Sequence, residues 1–393
     1  MIAIVNGTVY TPTRIIPQGI VLIEGERIIA VGSPAQVSLP NGTERIDARG
    51  QVVCPGLVDI HLHGGDGADC GDGTSAAVRT VARRHLRAGT TSFLPTTASA
   101  PLPDIWRAFE AIHEVLRNPH ADEARVLGIH MEGPFFSLEQ RGAHAPELLR
   151  MPDASERAKL YSYIGPLKRV TLAPEREGAL ELISHLARNG VLISGGHSDA
   201  LYEQVCRAME AGLSHITHLW SGMSTVRRFG PKRYAGMLEA ALVEERLTAE
   251  IIADGYHLPT SLIKMAYRLK GSEKLCLVSD AMRASGMGPG EYKVAGITAL
   301  VEEGAGVAIT PDRMAFAGSI STLVQCLQHV VQVVGLALRD ALQMATETPA
   351  RILGLEDRIG RLAPGHYADV LILDRATLEP QSIVLGGQIV RRT

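Results

Sequence analysis

Residues 52–65 read VVCPGLVDIHLHGG. This apolar run ends in two histidines one residue apart, followed by two glycines. In a strand, side chains at i and i+2 share a face. His61 and His63 therefore project together from a strand end, where Gly64 and Gly65 release the chain into a loop. Two imidazoles so placed are half of a metal site. An HxH pair on its own is as readily two hydrogen-bonded core histidines, so the rest of the chain has to decide.

Downstream, apolar strands alternate with amphipathic helical stretches. Strands are expected at 57–63, 91–96, 126–132, 170–173, 191–197, 215–219, 249–253 and 275–280. Helices are expected at 74–88, 103–118, 154–163, 178–189, 201–211, 236–244 and 258–270. Most of these helices end beside Gly89, Asn118, Asn189, Gly212 or Gly271, residues that stop helices. Eight strand–helix alternations predict an α/β fold, a (β/α)8 barrel. Residues 291–316 then read as a β-hairpin insertion, followed by helices at 321–335 and 338–353.

Both ends of the chain differ in texture. Residues 2–10, 19–24 and 27–32, then 368–373 and 382–390, are short strands with Gly-rich turns. Neither end can hold a core alone. They are expected to pair into one smaller, discontinuous, β-sandwich-like domain, 1–54 with 361–393, leaving 55–360 for the barrel.

Composition narrows the function. The 393 residues are 46% hydrophobic and 21% charged, with a net charge of −3 and no block of like charge. That argues against a nucleic-acid or membrane-surface partner. Five scattered cysteines with no CxxC argue against a disulfide framework and fit a reducing, cytoplasmic setting. The opening residues, MIAIVNGTVYTPTR, lack the pattern of a secretory signal.

Barrel enzymes work at the C-terminal ends of their strands. Here those ends carry His61 and His63, Glu132 in HMEGPF, His197 in GGHSDA, His218 in THLW and Asp280 in VSDA. His257 follows strand seven in ADGYH. Imidazoles with a carboxylate suit Zn²⁺ or Fe²⁺. His61, His63, Glu132, His197 and His218 are enough for two ions bridged by Glu132, or for one ion with spares. A bound divalent ion lowers the pKa of water toward ~7, and Asp280 is placed to take and return a proton. His130 is expected to support the ligands rather than join them, and His215 to be structural. His85, His113, His120, His185 and His329 are expected at the surface, and Asp59 as an ion-pair partner. Asp254 is expected to cap the loop after strand seven, and Gly195–Gly196 to allow close packing rather than phosphate binding. An anionic group on a ligand would find Arg141 and His144 after strand three, and Arg227, Arg228, Lys232 and Arg233 after strand six.

PGLVDIHLHGG, HMEGPF, QRGAHAP, GGHS, THL, ADGYH and SDAMRASG together resemble the N-acetylglucosamine-6-phosphate deacetylases of the amidohydrolase superfamily, nearly end to end. The resemblance implies hydrolysis of N-acetyl-D-glucosamine 6-phosphate to acetate and glucosamine 6-phosphate. It also implies a homodimer in which the neighbouring subunit helps to hold substrate. Glu132, His197 and His218 match the family's principal metal ligands. Asp280 matches its general acid/base, and His257 the histidine that polarises the scissile carbonyl. His144 matches a phosphate-contacting histidine, with Ala143 in the same loop. Phe316 and Ala317 are expected substrate contacts as well. His61 and His63 are kept where some members have QxN, so this chain looks like those able to hold two ions. It departs from the family after THL, where Ser221 and Gly222 replace an Asn-Ala step. Arg227, Arg228 and Arg233 compete for the phosphate. A dihydropyrimidinase-like enzyme would carry a lysine at the end of strand four, where this chain has Leu172-Ala173-Pro174. An amidohydrolase of another N-acyl amino sugar, such as N-acetylgalactosamine 6-phosphate, and a non-catalytic metal-binding barrel are the remaining alternatives.

Overall fold

A computed structural model describes residues 1–392. The run at 52–65 serves two large sheets and ends in a small hairpin, Gly64–Gly65 with Ala68–Asp69. Val52–Pro55 pairs antiparallel with Val370–Leu373, joining the two ends of the chain. Leu57–Leu62 then starts the barrel, pairing with Thr90–Thr97. Gly56 makes the crossing. Its N–H donates to the carbonyl of Asp369 at 2.9 Å, and a Cβ there would lie 2.0 Å from Thr91 Oγ1.

The terminal strands form one eight-stranded sheet. Ile4, Val21, Ile28, Val53, Val370 and Val384, drawn from six strands, share one buried cluster, so the sheet wraps around its own core. Glu44–Asp47, a strand not expected from the sequence, pairs parallel with Ile2–Tyr10.

The barrel strands continue in chain order: Arg125–Val126 with Ile129–Glu132, Leu167–Leu172, Leu192–Gly195, Leu213–Ile216, Thr248–Ile252 and Leu275–Val278. All their pairings are parallel. Between the last strand and the first, Asp280 N–H donates to His61 O at 3.0 Å and His63 N–H to Ala281 O at 2.8 Å. The barrel is thus nearly closed by bonds at its working rim.

The helices follow from their apolar stripes. Ser75–Arg87 buries Val78, Val81, Ala82, His85 and Leu86, and Thr74 Oγ1 caps it by accepting from Ala77 N–H. Ala154–Tyr161 starts with reciprocal bonds between Asp153 and Glu156. Thr260–Lys274 breaks at Gly271, the expected stop.

Two expectations are corrected. The insertion is a four-stranded antiparallel sheet, Gly290–Val294, Ile297–Val301, Val307–Ile309 and Phe316–Ser319, not a single hairpin. Its buried side chains are mostly alanine and valine, too small to stand out as an apolar period. The second of the two late helices is two, Leu338–Ala345 and Glu347–Ile352. Pro349 lacks the N–H that a continuous helix would return to Ala345 O, so the chain breaks at Thr346. No helix among the described residues is long and apolar enough to cross a membrane.

Candidate metal centre and active site

The strand ends converge as the spacing predicts. The Glu132 carboxylate lies among four imidazoles and divides them into two pairs. Its Oε2 is 3.2 Å from His61 Nε2 and 3.0 Å from His63 Nε2. Its Oε1 is 3.5 Å from His197 Nε2 and 3.1 Å from His218 Nε2. His61, His63 and Glu132 form one group whose ligand atoms lie within 4.8 Å of one another, and Glu132, His197 and His218 form a second. Asp280 Oδ1 stands beside the first pair, 3.2 Å from His63 Nε2 and 3.5 Å from His61 Nε2.

The second nitrogen of each ring fixes its proton. His63 Nδ1 meets Thr96 O at 3.2 Å, His197 Nδ1 meets Gln140 O at 3.0 Å, and His218 Nδ1 meets Ser221 O at 3.1 Å. His61 Nδ1 meets Glu250 Oε1 at 2.6 Å. A carbonyl or ionised carboxylate only accepts, so each Nδ1 carries the hydrogen and donates it. Held this way, each ring turns Nε2 toward Glu132 and, once neutral, offers it bare, the form that ligates metal. His61 Nε2 is buried with no hydrogen-bond partner. An orphaned acceptor and a ring of converging donor atoms fit a divalent cation.

Charge agrees. Burial disfavours an imidazolium at His61, yet Glu132, Glu250 and Asp280 outweigh it and push the pKa up to about 10. Burial likewise resists ionisation of Glu132, and the surrounding histidines still hold it well below the usual carboxylate range. The same balance of burial against His61 and His63 lowers Asp280. This cluster of carboxylates draws positive charge, whether protons or a metal.

The rim backbone is bent to serve the site. His197, His218 and Asp280 have φ of 48°, 20° and 48°, in the left-handed region that side chains rarely adopt. Gly222 has φ of 55°, and a Cβ on it would lie 2.7 Å from His197 Nδ1. The chain at Gly222 thus passes tightly over the His197 ring.

A cavity of about 310 Å³ opens over the cluster. Ala143, His144, Ser221, Gly222, His257, Phe316 and Ala317, all expected at the substrate, line it. Trp220, Met282, Val294 and Ala295 line it too and were not expected. The last two come from the first hairpin of the inserted sheet, which no local pattern marks as a wall. His144 Nδ1 accepts from Ser99, at 2.8 Å from Oγ, leaving Nε2–H free to donate into the cavity. Asp254 accepts from the N–H groups of Tyr256 and His257 at 2.9 Å and from His257 Nδ1 at 2.7 Å. It therefore caps the loop, as expected, and also orients the His257 ring.

Arg227 and Arg228 are not brought to the cavity. They lie on a hairpin, Arg227–Phe229 with Lys232–Tyr234. Arg227 is paired with Asp199, and exposed Arg228 donates to Gly230 O. No lysine or arginine lines the cavity among the described residues.

Other expectations fare unevenly. His130 supports the site: it bonds to Thr96 Oγ1 and Thr171 Oγ1, with its ring edge-on to His61. His215 is buried beneath the site against Glu250 and Thr248. His85 is fully buried rather than at the surface, bonded to Gly64 O at 3.0 Å. It belongs to the apolar stripe of its helix, which its polarity disguises. Asp59 has no ion-pair partner among the described residues. It accepts from the backbone N–H groups of His61 and Ser279, and burial pushes its pKa up to about 7. Arg169 and Glu250, buried and paired inside the barrel at 2.7 Å, went unread. A charge amid an apolar strand was the available signal for each.

Residues 52–390 match the amidohydrolase family. The chain belongs to the amidohydrolase family. This amidohydrolase is 36% identical over 363 residues to the N-acetylgalactosamine-6-phosphate deacetylase of Escherichia coli O157:H7, covering 92% of each chain. It is 34% identical to the N-acetylglucosamine-6-phosphate deacetylase of Bacillus subtilis, covering 93% of this chain and 91% of the other. Among solved structures it resembles a variant N-acetyl-D-glucosamine-6-phosphate deacetylase from Mycobacterium smegmatis in complex with N-acetyl-D-glucosamine-6-phosphate. That match has a TM-score of 0.90 and 32% identity over 99% of each chain.

Proposed function

We propose that this amidohydrolase is a metal-dependent deacetylase that hydrolyses N-acetyl-D-glucosamine 6-phosphate to D-glucosamine 6-phosphate and acetate. The observation that carries this is the Glu132 carboxylate set among four imidazole nitrogens, with Asp280 beside it, at the floor of a cavity large enough for a hexosamine. The relatives named above support the substrate class.

One or two ions, Zn²⁺ or Fe²⁺, would be held by His61, His63, Glu132, His197 and His218. When bound, such an ion supplies Lewis-acid polarisation of the acetamide carbonyl and acidifies water. Asp280 accepts a proton from the attacking water and passes it to the amine nitrogen as the C–N bond breaks. His257, held at Nδ1 by Asp254, presents Nε2 to the substrate. There it is placed to polarise the carbonyl oxygen as negative charge develops. His144 donates from Nε2 to a substrate oxygen. Ala143, Ser221, Gly222, Phe316 and Ala317 shape the walls.

We assign residues 1–54 with 361–393 to the small domain and 55–360 to the catalytic barrel. A homodimer completes the site in this reading. Among the described residues no arginine or lysine lines the cavity, whereas Arg228, Lys232 and Arg233 are exposed on a projecting hairpin. Such a hairpin can serve the phosphate of a second copy. Five unpaired cysteines suit a reducing, cytoplasmic setting.

The sugar's 4-hydroxyl configuration is the open choice, because the Escherichia coli relative acts by name on the galacto substrate. Acetate release from the 6-phosphates of N-acetylglucosamine and N-acetylgalactosamine, and from both unphosphorylated sugars, tests the assignment. The gluco phosphate is expected to give the highest kcat/KM. Preference for the galacto phosphate would reassign the substrate, and release from neither would overturn the function.

A further inference from the structure

Among the four imidazoles around Glu132, His61 alone is held at Nδ1 by a carboxylate; the other three rest on backbone carbonyls. That carboxylate, Glu250, is fully buried on the strand Thr248–Ile252. Its Oε1 accepts from His61 Nδ1 at 2.6 Å and from the backbone N–H of His218 at 3.2 Å. One oxygen atom thus touches a residue of each candidate ion group. Oε2 is held by Arg169 Nη1 at 2.7 Å.

Arg169, also fully buried, is anchored on three strands and on Thr217, just past the end of a fourth. Nε donates to Ser194 Oγ at 2.8 Å, Nη2 to Thr217 Oγ1 at 2.9 Å and Nη1 to Ile60 O at 3.2 Å, as well as to Glu250. It thereby fixes both the backbone just before His61 and the carboxylate on the His61 ring. His215, Glu250 and Cys276 also lie close enough to hold an ion. The guanidinium already supplies the cation there, so that cluster serves as a brace.

We propose that Glu250, braced by Arg169, is a positioning residue for the metal centre. It locks His61 with Nδ1 protonated and Nε2 facing Glu132 and Asp280, and so sets the affinity of the His61–His63–Glu132 position for a divalent cation. This rests on the metal-dependent reading above. A histidine held by a carboxylate is oriented and made a stronger donor to metal, and losing such a partner typically weakens binding ~10- to 100-fold. The brace matters because a buried carboxylate without its guanidinium is an uncompensated charge.

The test is a Co²⁺ titration of the metal-stripped full-length protein, followed by the visible spectrum of bound Co²⁺. Glu250→Gln should weaken the ion that depends on His61 by about 10- to 100-fold and change its spectrum. His61→Asn should do at least as much. In the double variant, Glu250→Gln should add nothing, because the residue acts through His61. A further loss in the double variant would show general structural damage and overturn the proposal. Equal affinity and spectrum in wild type and Glu250→Gln would overturn it while leaving the metal reading standing. A wild-type protein that takes up no Co²⁺ would sink the metal reading and the proposal with it. If Glu250→Gln does not fold, two-bond ¹H–¹⁵N correlation in histidine-labelled wild type decides. His61, identified by its loss in His61→Asn, should carry its proton on Nδ1. A ring bare at Nδ1, with its only proton on Nε2, would overturn the proposal.

Discussion

Asp280 lies within 3.5 Å of both histidines of the HxH pair and is not one of the five grouped ligands; in the proposed function it accepts the proton. Asp280→Asn is therefore expected to lower kcat by roughly 10²- to 10⁴-fold while bound metal per chain stays at the wild-type level. Metal lost together with activity would reassign Asp280 as chiefly a ligand. His85 makes a prediction about pH. Burial pulls its pKa down to about 4, against about 6.5 in an unfolded chain. Its folded form therefore stays neutral where the unfolded chain takes up a proton. The stability this preserves is complete above pH 6.5 and is lost as pH falls toward 4. Between pH 6.5 and 5 the wild type should lose on the order of 2 kcal/mol more than His85→Gln, measured by urea denaturation. Equal slopes would contradict this. The site residues at strand ends were legible because strand order alone sends them to one rim. The pairing of Arg227 with Asp199 was not, because it arises only through the fold of the loop.

At the scale of elements, the crossing at Gly56 decides whether one apolar run can feed two sheets. Its missing side chain lets Thr91 pack against the backbone. Gly56→Ala is expected to cost about 1–3 kcal/mol, as overpacking of a close-packed site does. Chemical denaturation followed by circular dichroism would check it, and an unchanged midpoint would contradict the packing account. The alternation of strands and helices was readable because apolar period and helix-stopping residues agree along the barrel. The inserted sheet was under-read because alanine, glycine and valine on short strands leave little periodic contrast. The Arg169–Glu250 pair escaped for another reason. Each looks like a flaw in its own apolar strand, and only the closed barrel sets them 2.7 Å apart.

For the whole molecule, barrel and terminal sheet divide the labour. The sheet ties the chain ends together at Val52–Pro55 and Val370–Leu373, next to where the first barrel strand begins. The barrel rim then gathers residues separated by more than two hundred positions into one buried cluster of histidines and carboxylates. Reconstitution of the stripped protein tests that account most directly, with bound divalent metal and acetate released from N-acetylglucosamine 6-phosphate measured on the same samples. Acetate release should be absent without metal and rise in proportion to the ion bound, to a plateau at one or two per chain. Full acetate release from protein kept free of metal would contradict it.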